Sequence, residues 1–190
     1  IQASRFMKID ANTRENLEIH RNLNDNGRRN TLFNTLDKTS TAMGSRMLNS
    51  WLEFPLLNID DLIFRQNLIE FFVNENEERI ALKSYLNKIY DLERILSKLS
   101  YSRANGRDLL ALANSIENLP KIKKRLNHIS LKEVNHLFYD LDDLSDIYKL
   151  IKSSIVEDAP ITITEGNLIK AGFSEELDKL KSRATEGKRK

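Results

Sequence analysis

The densest carboxylate cluster in the chain is Asp140, Asp142, Asp143 and Asp146, and carboxylates grouped in this way can hold a divalent cation or divide general acid and base work. Their spacing favours neither. A calcium-binding loop needs alternating oxygen ligands around a central glycine, whereas Leu141, Leu144 and Ile147 continue a helical apolar stripe that leaves the aspartates on a solvated face. The three histidines, His20, His128 and His136, lie too far apart for paired imidazoles on one helix face, so no zinc site is expected. The glycines at 27, 44, 106, 166, 172 and 187 are never close enough to shape a phosphate-cradling loop, and neither G-x-x-x-x-G-K-[ST] nor G-x-G-x-x-G occurs. Without cysteine there is no thiolate nucleophile, no Cys-ligated zinc and no disulfide framework. Lys121, Lys123, Lys124 and Arg125 could touch phosphate, but four cations near a helix end serve first to complement its dipole. These patterns assign no catalytic, cofactor-binding, metal-binding or DNA-binding residue.

The elements that would position any site are helices. The 190 residues hold only six Gly and three Pro, which leaves most of the backbone in long regular elements and excludes an all-β sandwich. An apolar fraction of 40% beside 31% charged residues is the balance of a soluble globular protein rather than a disordered one. Thirty basic against 28 acidic side chains give a net charge of +2, so the fold as a whole lacks the field of a dedicated nucleic-acid binder. No apolar run approaches the roughly 20 residues of a membrane span, and Ile1-Gln2-Ala3-Ser4-Arg5 lacks the layout of a signal peptide. A cytoplasmic protein is expected. The absent initiator Met and the basic Lys188-Arg189-Lys190 end suit a segment of something longer.

Residues 10–19 predict a helical turn followed by a short strand, and residues 21–30 a surface loop, with helix resuming at Thr31. Met43, Met47, Leu48, Trp51 and Leu52 share one face of a helix capped by Ser40 or Thr41 and stopped by Pro55, which places Met43, Met47 and Trp51 in the core. Asn58 or Asp60 caps the next helix. Its expected buried stripe is Ile59, Leu62, Ile63, Gln66, Ile69 and Phe72, with Leu68 and Phe71 facing a second neighbour. Ile80, Leu82, Leu86 and Ile89 restart the rhythm, then Leu92, Ile95, Leu96 and Leu99. Asn105-Gly106 breaks before a helix carrying Leu109, Leu112, Ala113, Ile116 and Leu119, which Pro120 ends or kinks. Ser130-x-x-Glu133 has the form of a capping box and opens an apolar face from Val134 to Ile155, long enough for one or two helices and closed by Pro160. Ile161-Thr162-Ile163-Thr164, Glu165-Gly166 and Leu168-Ile169 predict a small hairpin, and a last helix starts near Ser174.

One stretch is far more specific than any periodicity. The run from Leu36 to Leu56, Leu36-Asp37-Lys38-Thr39-Ser40-Thr41-Ala42-Met43-Gly44-Ser45-Arg46 through Trp51-Leu52-Glu53-Phe54-Pro55-Leu56, resembles the "LDxTxTAMGxRxLxxWLxxPL" signature of the MutS mismatch-repair family. Asp10, Thr13, Arg14, Asn16, Leu17 and Glu18 resemble its "D..TR.NLEL" entry. Tyr90-Asp91-Leu92-Glu93-Arg94-Ile95 and Arg103-Ala104-Asn105-Gly106-Arg107-Asp108-Leu109 are similar to its "DLERxxxR…ANPRDL" stretch, and residues 165–178 to its "EGGxIKxGYDxELD" segment. Gly106 stands where the family usually has Pro, Asn167 where it has Gly and Phe173 where it has Tyr.

The resemblance implies a mainly all-α multi-helix core and lever domain with one or two short strands or a small hairpin. Residues 1–157 would be the core, and residues 158–190 the hairpin and the start of a lever helix toward an absent clamp. It implies a bacterial-type parent that binds mismatched DNA as a homodimer, hydrolyses ATP with Mg, signals to MutL and sits in the cytoplasm with the nucleoid. This chain would be a non-catalytic coupler without cofactor of its own, moving as packed bodies around Met43, Met47, Trp51 and Leu52 and along a long helix from about Ser130 to Ile155. The alternative is a stand-alone helical protein-interaction module unrelated to DNA.

Overall fold

In the computed structural model, residues 5–127, 129 and 141–187 are described. The chain divides into two compact units interleaved in sequence, Ile1–Asp91 with Lys121–Leu141, and Leu92–Pro120 with Asp142–Lys190.

In the first unit, α1 (Ala11–Asn16) begins where the Asp10 carboxylate accepts the Thr13 amide at 2.9 Å. The strand expected after it does not form. Glu18 adopts a φ of 47°, a left-handed turn that extended backbone cannot contain, and the Glu18 and Ile19 carbonyls accept from Leu32 and Phe33, each at 3.0 Å. The surface loop between is held by buried Asn22, whose Oδ1 accepts the Asn24 and Asp25 amides and whose Nδ2 donates to the Arg29 carbonyl. Thr31 caps α2 (Leu32–Leu36), and Thr41 caps α3 (Ala42–Glu53), which ends at Phe54 just before Pro55.

No residue of α3 is buried, which corrects the core assignment of Met47 and Trp51: they are 57% and 41% exposed. The spacing shows that they share a face; it does not supply an element of this chain to cover it.

Asn58 caps α4 (Ile59–Asn74) by accepting the Asp61 amide, and a single residue, Glu75, separates it from α5 (Asn76–Leu86). The core of this unit is Ile122, Leu126 and Ile129, packed by Phe64, Leu68, Phe71 and Phe72 of α4 and by Leu82, Tyr85, Leu86 and Ile89. The expected α4 stripe is therefore mostly turned outward, with Ile59, Leu62, Ile63 and Ile69 exposed. Apolar residues all round α4 let the aromatic side face the core. Ile80 is exposed as well.

In the second unit, α6 (Leu92–Ser100) buries Ile95 and exposes Leu96, which had been expected inside. α7 (Gly106–Ile116) opens with a capping box between Asn105 and Asp108. Pro120 does not end or kink it. It lies in the first turn of α8 (Leu119–Leu126), where a missing N–H goes unnoticed. Ala113, Ile151, Ile155 and Ala159 form the core, with Leu109, Leu112, Tyr148 and Leu168 against it.

The long helix expected from Ser130 to Ile155 is not continuous. Residues 141–144 are not helical, Leu144 has a φ of 50°, and α9 spans Ser145–Ser154. Asp142 and Asp143 accept the amides of Leu144 and Ser145, a local turn that competes with helix. The Ser130–Glu133 capping box, Val134, Leu137, Phe138, Asp140, His128 and His136 lie outside the described residues.

Leu168 and Ile169 do not return against residues 161–164. They pair with the end of α9, where Val156 donates to the Leu168 carbonyl at 3.0 Å and Lys170 to that of Ser154 at 2.8 Å. Thr162 and Glu165 instead close a capping box on the 3-10 turn Ile163–Glu165. α10 (Glu175–Gly187) starts beside Ser174 as expected. The fold is mainly all-α, and pairing outside helices among the described residues is confined to the bridges Phe6–Leu56 and Ile155–Ile169.

Candidate functional site

The signature residues act as joints. In the first unit, Asp37 accepts the Thr39 amide at 3.2 Å, the Thr39 hydroxyl at 2.7 Å and the Ser45 hydroxyl at 2.6 Å, so that one carboxylate fixes the entry to α3. The bonds from Ser45 and Thr39 stabilise its charged form and hold its carboxyl below the ordinary aspartate range. Arg46, one turn into α3, forms a bidentate pair with Asp91 at 2.6 and 3.0 Å across 45 residues of sequence. Arg14 of the entry motif donates from Nε to the Ile9 carbonyl at 3.0 Å and pairs with Glu53 at the other end of α3 at 3.1 Å. The Arg65 guanidinium lies 3.7 Å from the Trp51 ring centroid, which explains how an exposed tryptophan is held without burial.

The second unit has a joint of the same kind around Asn105-Gly106-Arg107-Asp108. Asn105 accepts the Asp108 amide at 2.9 Å and donates to the Ile161 carbonyl at 3.0 Å, and Arg107 donates to the Ala159 carbonyl at 3.0 Å. Lys98 meets Asp108 at 2.6 Å. Burial raises the Asp108 pKa, but the bonds from Lys98 and Asn105 and the Lys98 charge outweigh it and leave the group below its ordinary value. Gly106 lets its neighbours approach closely, since a Cβ there would fall 2.8 Å from that of Ala159 and 2.3 Å from a Leu168 methyl unless they shifted.

The residues weighed for chemistry are scattered. Lys123 donates to the Leu141 carbonyl and Arg125 pairs with Glu78 at 2.8 Å, while Lys121 and Lys124 line an open recess of about 380 Å³ with Tyr85. Asp142, Asp143 and Asp146 are exposed. His20 tilts against Phe33, and its Nε2 has no hydrogen-bond partner among the described residues. No group of three or more His, Asp or Glu that could hold a metal ion occurs among the described residues. Nor, among them, is any helix long and apolar enough to cross a membrane. The capping pair Asn105-x-x-Asp108 was open to sequence reading and was missed. The pairs Arg46–Asp91, Arg14–Glu53 and Arg107–Ala159 leave no local signal, since their members are 39 to 52 residues apart.

The described polar residues of these motifs hold the helices of their own unit in register, the arrangement of a helical framework domain. Comparison with known proteins sharpens this. The family model described as MutS domain III matches residues 12–187. The DNA mismatch repair protein MutS of Finegoldia magna is 48% identical over 183 residues, 96% of this chain and 21% of that protein. Those of Clostridium perfringens, at 43% over 96% of this chain and 20% of theirs, and Caldanaerobacter subterraneus, at 41% over 98% and 22%, are similar too. The chain belongs to the MutS family, in the region of its domain III. It spans about a fifth of the length of these relatives. A stand-alone module unrelated to mismatch repair loses its ground.

Proposed function

We propose that this chain is the structural core of a MutS-type mismatch-recognition ATPase, carrying nucleotide state to the position of a DNA clamp by moving as packed helical bodies, and that it performs no catalysis itself. The observation that carries the reading is the engagement of the signature side chains. Asp37, Arg46, Arg14 and Asp108 are each tied by a hydrogen bond or ion pair to another part of the same unit. A body that relays motion needs such joints, because a helix that shifts alone transmits nothing. Under this proposal ATP and Mg are held elsewhere in the parent, since no phosphate-cradling glycine loop occurs in this sequence. In this reading that chemistry, like contact with DNA, a second MutS copy and MutL, belongs to domains beyond the segment, in a cytoplasmic, nucleoid-associated parent.

Two measurements test it. The chain alone is expected neither to hydrolyse ATP nor to prefer a mismatched duplex over a matched one, and either activity overturns the non-catalytic reading. In a full-length MutS protein that carries this segment, Arg46→Ala is expected to lower mismatch-dependent stimulation of ATP hydrolysis while leaving basal hydrolysis in place. Unchanged stimulation overturns the coupling role.

A further inference from the structure

The chain contains two Asn-Gly dipeptides, Asn26-Gly27 and Asn105-Gly106, placed in opposite surroundings. The chemistry of that pair is specific. The backbone nitrogen of a residue after asparagine can attack the side-chain amide carbon, and glycine offers no Cβ to obstruct the approach and leaves the chain free to turn. Whether it does depends on freedom of the asparagine side chain and of the following peptide.

Asn105 has neither freedom. Its Oδ1 accepts the Asp108 amide at 2.9 Å and its Nδ2 donates to the Ile161 carbonyl at 3.0 Å. Gly106 is buried in the first turn of α7 under Leu168 and Ala159. Asn26 differs in its side chain and surroundings, although the Gly27 amide next to it is held by Asp25. Asn26 is exposed, sits in a non-helical loop with a φ of 55°, and lines an open recess of about 390 Å³ beside Arg14, His20 and Arg21. Its neighbours carry the loop's bonds in its place: Asn22 donates to the Gly27 carbonyl at 2.9 Å, and Gly27 donates to the Asp25 carboxylate at 2.7 Å.

We infer that Asn26 is a site of spontaneous covalent modification, and that Asn105 is protected by its role as a helix cap. The Gly27 nitrogen leaves the Asp25 carboxylate, gives its proton to solvent base and bonds to Asn26 Cγ. The bond from Cγ to the side-chain nitrogen breaks, that nitrogen takes up a proton, and ammonia leaves a five-membered cyclic imide. Water then opens the imide at either carbonyl, leaving aspartate at 26 or an isoaspartate whose main chain runs through the former side chain. Both products set a new carboxylate beside Asp25 and the Arg14–Arg21 recess.

Trypsin isolates the two sites, since cleavage after Arg21 and Arg28 yields residues 22–28 and cleavage after Arg103 and Arg107 yields residues 104–107. The native chain is incubated at mildly alkaline pH and followed by mass spectrometry with fragmentation. Deamidation is expected in peptide 22–28 at Asn26, at least about tenfold faster than in peptide 104–107, the gap reflecting the opening needed to free Asn105. In denaturant the two rates are expected to converge within about twofold. Asn26→Gln, which would have to close a larger ring, is expected to abolish the mass gain in the first peptide. Equal native rates, a first peptide as protected as the second, or a mass gain placed on Asn22 or Asn24 each overturn the inference.

Discussion

α3 and α7 are helices of 12 and 11 residues, each opened by a side-chain cap and each built around a diagnostic motif, yet α7 buries Gly106, Ala113, Ser115 and Ile116 whereas α3 buries nothing. The more specific of the two motifs thus lies on the less buried helix. α7 is fixed by apolar packing, a non-directional force roughly proportional to the area removed from water. α3 is fixed by polar contacts along its length, by Asp37 before its start, Arg46 one turn in and Glu53 at its end. Such fixing constrains position and angle while adding modest stability, since exposed ion pairs are worth about 1 kcal/mol or less. A helix whose job is to stay in register with its neighbours can be specified tightly in sequence without being part of a core.

The comparison can be broken most directly by truncation on each side. Ile151→Ala, in the core that packs α7, is expected to cost about 2–5 kcal/mol in urea denaturation. Trp51→Ala on α3 is expected to cost only about 1–2 kcal/mol, the sum of partial burial and the Arg65 contact. Equal losses would mean that α3 is packed like α7. The glycines sharpen the contrast. Gly106→Ala drives a Cβ into Ala159 and is expected to destabilise by about 1–3 kcal/mol. Gly44→Ala meets Thr41 Oγ1 at 3.1 Å and Thr39 Cβ and Cγ2 at 3.4 and 3.6 Å, and the gain in helix propensity of about 1 kcal/mol is expected to leave it near neutral in the same assay.

The smallest effect is in acid. Asp37 and Asp108 both have pKa values below the ordinary aspartate value, so the stability they contribute is complete above that value and is lost as pH falls through the folded pKa. Asp37→Asn and Asp108→Asn are each expected to flatten the acid limb of the urea midpoint against pH. An unchanged limb in both would show that these carboxylates do not set acid stability.

Much of the fold was readable where the cause is local. Thr41, Asn58 and Asp10 cap helices because their side chains reach an amide three residues on, and sequence spacing contains that distance. The facing of α4 was readable only in part: Phe72, Leu68 and Phe71 pack as expected, whereas Ile59, Leu62, Ile63 and Ile69 do not. With apolar residues on every side, periodicity cannot choose, and only the arrival of Ile122, Leu126 and Ile129 from far along the chain selects Phe64, Leu68 and Phe71. The same limit hid the break before α9, where two aspartates bonding to their own backbone outweigh an apolar stripe that reads as continuous. The signature residues were legible as a motif and their mechanical role was not, because Arg46 finds Asp91 only after folding.

The interleaved order of the two units has a consequence for synthesis on the ribosome. α6 and α7 emerge before the chain has finished the first unit, whose core awaits Ile122, Leu126 and Ile129. They must then wait again, because the partners of Ala113 are Ile151 and Ile155, supplied by and just after α9. At about 5–20 residues per second, α7 is left for a few seconds with its apolar side uncovered. A nascent chain stalled between Leu126 and Ser145 is the species in which chaperone capture, or mispairing with a neighbouring polysome, finds its opportunity.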